Sequence, residues 1–544
     1  MEKIKNNKEI IINIFIFLII LIGILVRLIN IQDFPNALNC DEASIGYEAF
    51  SILNYGIDRN GNHLPVFLKA WGSGQNIMLA WLIIPLIKIF DLSVLSVRLP
   101  MAIIGSISVV IFYFLLKRIS NKKIALVGLI FFAICPWHIM KSRWGLESNL
   151  FPDMILISIY FLIRGLQDKN NIFYYLSFII LGLTVYSYGT SYFFLPLFLT
   201  ILLITLVKKK EISIKKAIIS FLITSIIAIP MVLFVIINTY NLEQINLPFM
   251  TIPKLTVNRY EKITSIFSSQ FLIISLSNFI KSCEILITGF DGMQWSAIKP
   301  FGLFYPFSII FAFIGIIISF FNNKKLEKEN SNKEENTQNI INVVRKEINY
   351  KYIFNIWFVV SLIMCFIVEP NINRINIIII PIIFYISIGI YSVIKNKKIL
   401  VILFLVIYML GFVLFLNTYF KQNYDGNGTF EGKLEEVFEY VKTLDKQIII
   451  TKEIKEPYIY TLFYTKYNTK DFVKTVKVEN ENVEFRVVDS FGKYKFENIR
   501  KIEKFEKDKA YVIKKSNFEK LNINENNENI KVKEFEKYVV LEVN

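Results

Sequence analysis

Residues 11–29 read IINIFIFLIILIGILVRLI, an apolar run interrupted only by Asn13 and Arg27. A helix needs about 20 such residues to cross a bilayer, and runs of this kind recur through most of the 544-residue chain. Lipid offers backbone N–H and C=O groups no partner but each other, so only helices and closed barrels cross it. Barrel strands alternate apolar and polar residues over about 10 positions, whereas these runs are apolar throughout. They predict a polytopic α-helical membrane protein. The first run is too long for a signal-peptide core and has no small-residue cleavage site, so it predicts a span that stays in the membrane.

Charge then sets the expected sidedness. Lys3, Lys5 and Lys8 precede the first span and predict a cytoplasmic N-terminus. The run IMLAWLIIPLIKIF at 77–90 is short and carries Pro85 and Lys88. Read as an interfacial helix, it keeps Lys117, Arg118, Lys122 and Lys123 on the inside. Further spans are then expected near 99–116, 124–140, 150–165, 172–187, 191–207, 217–238, 302–321, 352–369, 375–394 and 399–416, giving about eleven in all. Lys and Arg gather in the predicted inner segments, and the short outer turns hold only Lys141, Arg143 and Arg374. The expected organisation is a membrane domain over 1–419, with a first outer loop 31–98, a second long outer loop 239–300 and a cytoplasmic linker 322–351. Residues 420–544 are charged and Asn-rich and predict a small extracytoplasmic α/β domain. Within it EGKLEEVFEYVKTL (431–444) has helical periodicity, while KQIIIT, VEFRVV and KAYVIKK read as strands. The aromatic PYIYTLFYTKY (457–467) reads as a helix on that sheet or on the membrane.

The formal net charge of +16 follows from this topology and needs no nucleic-acid partner. Cys40, Cys135, Cys283 and Cys365 are scattered without a CxxC, so neither a disulfide framework nor a zinc site is expected. His63 and His138 are the only histidines, which excludes a multi-histidine metal centre.

Nearly all the chemically suggestive residues lie on the predicted outer face. The first loop, with NALNCDEASIGYEAF at 36–50, carries Asp41, Glu42, Glu48, Asp58, Arg59, His63 and Lys69. CPWHIMKSRWGLESNLFPD carries His138, Lys141, Arg143 and Glu147; VYSYGTSYFFLP carries Tyr186 and Tyr188; EPNINR carries Arg374. Each stretch also has a plain structural reading. Asn39-x-x-Glu42 fits a capping box, with acids in a first helical turn facing the macrodipole. Trp137, Trp144 and the tyrosines fit an aromatic belt, and the basic residues fit headgroup contacts. Their joint placement on one face points further. A carboxylate there can serve as general base on an acceptor hydroxyl, cations can neutralise a departing phosphate, and aromatic walls can flank a sugar.

RLINIQDFPNALNCDEASIGYEAFSIL resembles the first outer loop of GT-C superfamily membrane glycosyltransferases. SVRLPMAIIGSISVVIFYFLLKRI, CPWHIMKSRWGLESNL and LTVYSYGTSYFFLPL are similar to that superfamily's second span and its following turns. The nearest groups are bacterial relatives of dolichyl-phosphate-mannose–protein mannosyltransferase, of the glycosyltransferase family 39 type, and of undecaprenyl-phosphate aminoarabinose transferase. The resemblance runs over about residues 15–420. It implies sugar transfer from a polyprenyl-phosphate donor, usually with inversion, with no nucleotide required. It implies Asp41 as base, Glu42 assisting, Glu147 as a second acid, and Arg374 at the lipid phosphate, where Arg143 and Lys69 are further candidates. Tyr47, His138, Tyr186 and Tyr188 are candidates for sugar or acceptor contact. Some superfamily members use a divalent metal and others do not, and no obligatory metal is expected here. About eleven spans fit the mannosyltransferase type, whereas the aminoarabinose transferases are expected to have more. Loop 239–300 lacks an insertion that would add a sugar-recognition domain like that of the eukaryotic enzymes, so the acceptor (protein, glycan or lipid) and the sugar (hexose or pentose) are not implied. The competing readings are a transporter or flippase of a lipid-linked glycan and a non-catalytic cell-envelope assembly protein. The span interiors are nearly free of charge, which disfavours a passage through the bilayer.

Overall fold

The computed structural model describes residues 2–70, 73–257, 264–266, 268–321, 349–421, 430–480, 487–499, 505–520 and 530–544. Helix α1 (Glu2–Leu28) is followed by α2 (Cys40–Tyr55), a hairpin of β1 (Phe67–Ala70) and β2 (Ser73–Asn76), and α3 (Met78–Phe90). Then come α4 (Val94–Ile119), α5 (Lys122–Ala133), α6 (Pro136–Lys141), α7 (Leu150–Gln167), α8 (Asn171–Leu183), α9 (Ser191–Lys208) and α10 (Ile214–Thr239). After a hairpin of β3 (Ile245–Leu247) and β4 (Met250–Ile252), further helices cover Phe271–Thr288, Ile309–Phe320, Lys351–Ile367, Ile379–Ile394 and Lys398–Tyr419. Among the described residues, 8 helices are long and apolar enough to cross a membrane. The apolar helices Met78–Phe90, Asn171–Tyr186, Pro306–Phe320 and Lys351–Ile367 are shorter. At 1.5 Å per residue the 13 residues of α3 reach about 20 Å, less than the roughly 30 Å hydrocarbon core.

Two sequence expectations are corrected. The span expected at 124–140 is broken, because α5 ends at Ala133 and Pro136 starts α6. Proline has no N–H to continue a helix and favours its first turn. The segment 239–300 is not a loop throughout, since Phe271–Thr288 is itself a candidate span. Its hydropathy is diluted by Ser275, Asn278 and Ser282, which share one buried face. That face meets the Lys351–Ile367 helix: Asn278 Nδ2 donates to the Phe366 carbonyl at 3.4 Å and Ser282 Oγ to that of Cys365 at 3.5 Å. The expected linker 322–351 lies almost wholly outside the described residues.

Small residues let the bundle close. A Cβ on Gly315 would stand 1.9 Å from the Tyr385 carbonyl oxygen, so Ile309–Phe320 and Ile379–Ile394 touch backbone to backbone.

The C-terminal domain is a seven-stranded sheet ordered β10-β11-β9-β5-β8-β7-β6. Its strands are β5 (Gln447–Thr451), β6 (Lys477–Val478), β7 (Val488–Phe491), β8 (Tyr494–Glu497), β9 (Lys509–Lys514), β10 (Ile530–Glu534) and β11 (Tyr538–Val543). The first and third expected strands stand where KQIIIT and KAYVIKK predict them. Most of VEFRVV lies outside the described residues, and β7 begins at its last valine. The aromatic stretch forms the helix Pro457–Thr465, which rests on α2 of the membrane domain. Tyr460 Oη donates to the Leu38 carbonyl at 3.2 Å and Tyr47 Oη to that of Tyr467 at 2.7 Å. At Gly46 a Cβ would stand 2.8 Å from the Phe463 ring, so only glycine permits this approach.

Candidate active site

The site begins with a helix cap. Asn39 Oδ1 accepts the Asp41 N–H at 2.6 Å and Glu42 Oε2 accepts the Asn39 N–H at 3.1 Å, the reciprocal capping box read from the sequence. Glu42 is fully buried and saturated. Its Oε1 accepts from Arg98 Nε at 2.8 Å and from the Gly145 N–H at 2.8 Å. Arg98 also donates to the carbonyls of Ile31 and Pro35 at 3.0 and 2.8 Å, and to that of Ala37. Glu42 therefore clamps α2 to α4 and to the 31–37 turn. Its Oε2 also accepts from Arg98 Nη2 at 3.0 Å, so every lone-pair direction of the carboxylate is occupied by the protein.

Asp41, half-buried, lines a cavity of about 260 Å³. Around it stand Gln75 and Asn76 of β2, Glu147 and Ser148, Tyr188, Thr190 and Tyr192, and Asn373 and Arg374. These come from four separate stretches of the chain. Gln75 Nε2 reaches the Asp41 carbonyl at 3.4 Å and its Oε1 accepts from Ser44 at 2.8 Å. Asn76 donates from its backbone N–H to Glu147, and from Nδ2 to the Val185 carbonyl and the Tyr192 hydroxyl at 3.0 and 2.7 Å. Asp41 and Glu147 are close enough for their charges to repel. Arg374, capped by Asn371 at 2.9 Å, pairs at 2.5 Å with the largely exposed Glu369. An exposed pair contributes only about 0–1 kcal/mol, so an incoming phosphate can replace Glu369 as its partner.

Tyr192 is shared with a second, apolar space of about 580 Å³ between α9 and α10, walled by Leu195, Pro196, Leu199, Ala228, Met231 and Val232. Tyr192 thus lines both the cavity that holds Asp41 and an apolar groove.

Other sequence candidates lie elsewhere. Arg143 is buried and holds the end of α1, donating to the carbonyls of Val26, Asn30 and Phe34 at 2.9, 3.1 and 3.1 Å. Burial lowers its pKa, with Tyr419 partly offsetting that. His138 sits in a buried chain, with Arg27 Nη2 at 2.7 Å from its Nδ1 and Asp153 at 3.1 Å from its Nε2. Arginine can only donate, so Nδ1 accepts and the ring is neutral, with its proton on Nε2. Lys141 completes the chain with a 2.5 Å contact to Asp153. Tyr186 donates to the Ile227 carbonyl at 2.9 Å, and Tyr47 is spent on the C-terminal domain. Lys69 stands outside the cavity lining, where its charge acts on Asp58. Of the candidates, the structure brings together Asp41, Glu147, Tyr188 and Arg374 at the cavity. Gln75, Asn76, Ser148, Thr190, Tyr192 and Asn373 join them without having been singled out. Ser148, Thr190, Tyr192 and Asn373 stand within four residues of ones that were, whereas Gln75 and Asn76 carry no such signal. Among the described residues no group of three or more His, Cys, Asp or Glu side chains could hold a metal.

Two turns further along α2, Glu48 is fully buried against Arg59 at 3.2 Å. Burial pushes its carboxyl up to about 8; Asp58 adds to this and Arg59 opposes it. A raised folded-state pKa contributes stability below the unfolded value near 4.5 that is lost as pH rises towards about 8. The melting temperature of the detergent-solubilised protein should therefore fall between pH 5 and 8, and Glu48→Gln should flatten that slope. An unchanged slope in the variant would assign the pH dependence to other groups.

Residues 75–237 match the family model described as dolichyl-phosphate-mannose-protein mannosyltransferase. That segment carries the cavity wall from Gln75 to Tyr192 and both sides of the groove. No curated protein matches the chain. Among solved structures, ArnT from Cupriavidus metallidurans bound to undecaprenyl phosphate superposes with a TM-score of 0.52 at 10% identity, covering 97% of each chain. The archaeal oligosaccharyltransferase AglB from Archaeoglobus fulgidus, in complex with an inhibitory peptide and a dolichol-phosphate, gives 0.44 at 11% identity, covering 82% of this chain and 63% of that one.

Proposed function

We propose that this chain, a GT-C membrane protein related to the dolichyl-phosphate-mannose–protein mannosyltransferases and with the fold of ArnT, transfers a sugar from a polyprenyl-phosphate donor to an acceptor hydroxyl on the outer face of the membrane. One observation carries this reading: Asp41, Glu147 and Arg374, far apart in sequence, line one cavity, and its Tyr192 also lines an apolar groove. The groove suits a polyprenyl chain lying within the bundle wall, and the cavity suits its phosphate and sugar. Asp41 takes the proton of the acceptor hydroxyl as its oxygen attacks the anomeric carbon. The bond from that carbon to the phosphate oxygen breaks, and polyprenyl phosphate departs with the bonding electrons. Arg374 neutralises the charge that develops on it. Attack from the face opposite the phosphate inverts the anomeric centre. The undecaprenyl phosphate bound to ArnT makes a polyprenyl carrier the natural choice.

The test uses the full chain in proteoliposomes supplied with radiolabelled polyprenyl-phosphate sugars and cell-envelope acceptors. Arg374→Ala should raise KM for the lipid donor about tenfold, the scale of one charge-assisted contact, and leave the melting temperature within about 1 °C. A donor KM unchanged in that variant would remove Arg374 from the phosphate. Absence of transfer with every donor would count against the reading as a whole.

A further inference from the structure

The cavity contains an anomaly in hydrogen bonding. Ser148 Oγ, Thr190 Oγ1 and Glu147 Oε2 are buried and have no hydrogen-bond partner within the protein, and all three residues line the same space. Ser148 is 1% and Thr190 5% exposed. Buried polar atoms are nearly always paired, and an unpaired one costs about 1–3 kcal/mol.

Neighbouring hydroxyls show what these two could have done. Ser187 Oγ folds back onto the Thr184 carbonyl at 2.5 Å and Ser191 Oγ onto that of Tyr188 at 2.6 Å. Thr184 does the same with Leu181 at 2.6 Å. This local back-bonding is the default for serine and threonine in helical turns. Thr190 lies between two residues that follow it and has helical backbone angles, φ −66° and ψ −20°, yet makes no such bond. Ser148, in the turn Glu147–Asn149 ahead of α7, makes none either. Two amides of the cavity wall are engaged within the protein: Gln75 with Ser44 and Asn76 with Val185 and Tyr192. Among the described residues that line the cavity, the buried side-chain atoms with unmet capacity are two neutral hydroxyls and one carboxyl oxygen.

Resting on the glycosyltransferase reading above, we propose that Ser148 and Thr190, together with Glu147, form the subsite that reads the ring hydroxyls of the transferred sugar. A hydroxyl can both donate and accept, and carries no charge. A pair of them matches the uncharged, bifunctional hydroxyls of a neutral hexose or pentose, and Glu147 Oε2 offers an acceptor to a third. Asp41 and Arg374 line the same cavity, which leaves base and phosphate chemistry to them and recognition to this trio.

The experiment measures binding by the full-length protein in detergent micelles, with bare polyprenyl phosphate and with polyprenyl phosphate carrying mannose, glucose or arabinose as probes. The near-isosteric variants Ser148→Ala and Thr190→Val are compared with the parent chain, and melting temperatures confirm that each is folded. The sugar should tighten binding by the parent chain, and each variant should weaken binding of the preferred glycosylated lipid by about twofold to tenfold. Binding of bare polyprenyl phosphate should stay unchanged, which a merely structural role would not allow. Equal weakening of both ligands, no weakening of either, or no tightening by any sugar would overturn the subsite while leaving lipid binding intact. Failure of the parent chain to bind either lipid would overturn the glycosyltransferase reading as well.

Discussion

Exchange of Asp41 for Asn is expected to lower sugar transfer by about 10²–10⁴-fold, the usual contribution of a positioned general base. The substitution keeps the size and the backbone N–H that Asn39 receives at 2.6 Å, so the cap on α2 persists. KM for the lipid donor should change little, because the phosphate is assigned to Arg374 on another segment of the cavity wall. Single-turnover transfer in proteoliposomes, with donor binding measured in parallel, separates the two effects. Transfer within about threefold of the parent chain would move the base elsewhere, with Glu147 as the next carboxyl in the same cavity.

The second large effect is on folding. Arg98→Leu should destabilise the protein by about 3–5 kcal/mol, because it leaves the Glu42 carboxylate buried without its cation. Both side chains are fully buried and meet at 2.8 Å. The loss extends to the 31–37 turn, whose carbonyls Arg98 also holds. The double variant Glu42→Leu with Arg98→Leu should be more stable than the single one, since no orphaned charge remains. Thermal unfolding in detergent, monitored by size exclusion after heating, reads both. A single variant as stable as the parent would show that water reaches Glu42.

Much of this architecture is legible in the sequence because apolar periodicity and capping are local properties. The capping box at Asn39 and Glu42, the strands at Gln447–Thr451 and Lys509–Lys514, and most of the spans depend on neighbours a few residues away. What escapes is set by distant partners. The Phe271–Thr288 helix is masked by three polar residues that make sense only against the Lys351–Ile367 helix. Glu42 sits beside Asp41 and carries the same charge, and nothing local says that Arg98 will saturate it. His138 and Arg143 occupy the turn that supplies Glu147, yet their partners are Arg27 and the end of α1. Thr190 is likewise silent until the turn folds and its hydroxyl fails to bond back. Adjacency in sequence therefore identifies the right turns but not which side chain of each turn faces the cavity.

The contact between α2 and the Pro457–Thr465 helix also bears on the order of assembly. Tyr47 and Tyr467 are joined by a hydrogen bond across 420 positions of chain. Chains are made from the N-terminus at roughly 5–20 residues per second, so α2 exists for tens of seconds before its partner is synthesised. During that interval the face bearing Gly46 has no Phe463 to close against it. Nascent and prematurely ended products would present an incomplete helix seat beside Asp41. The 430–544 domain therefore completes the packing of α2 only after the membrane helices before it have been made.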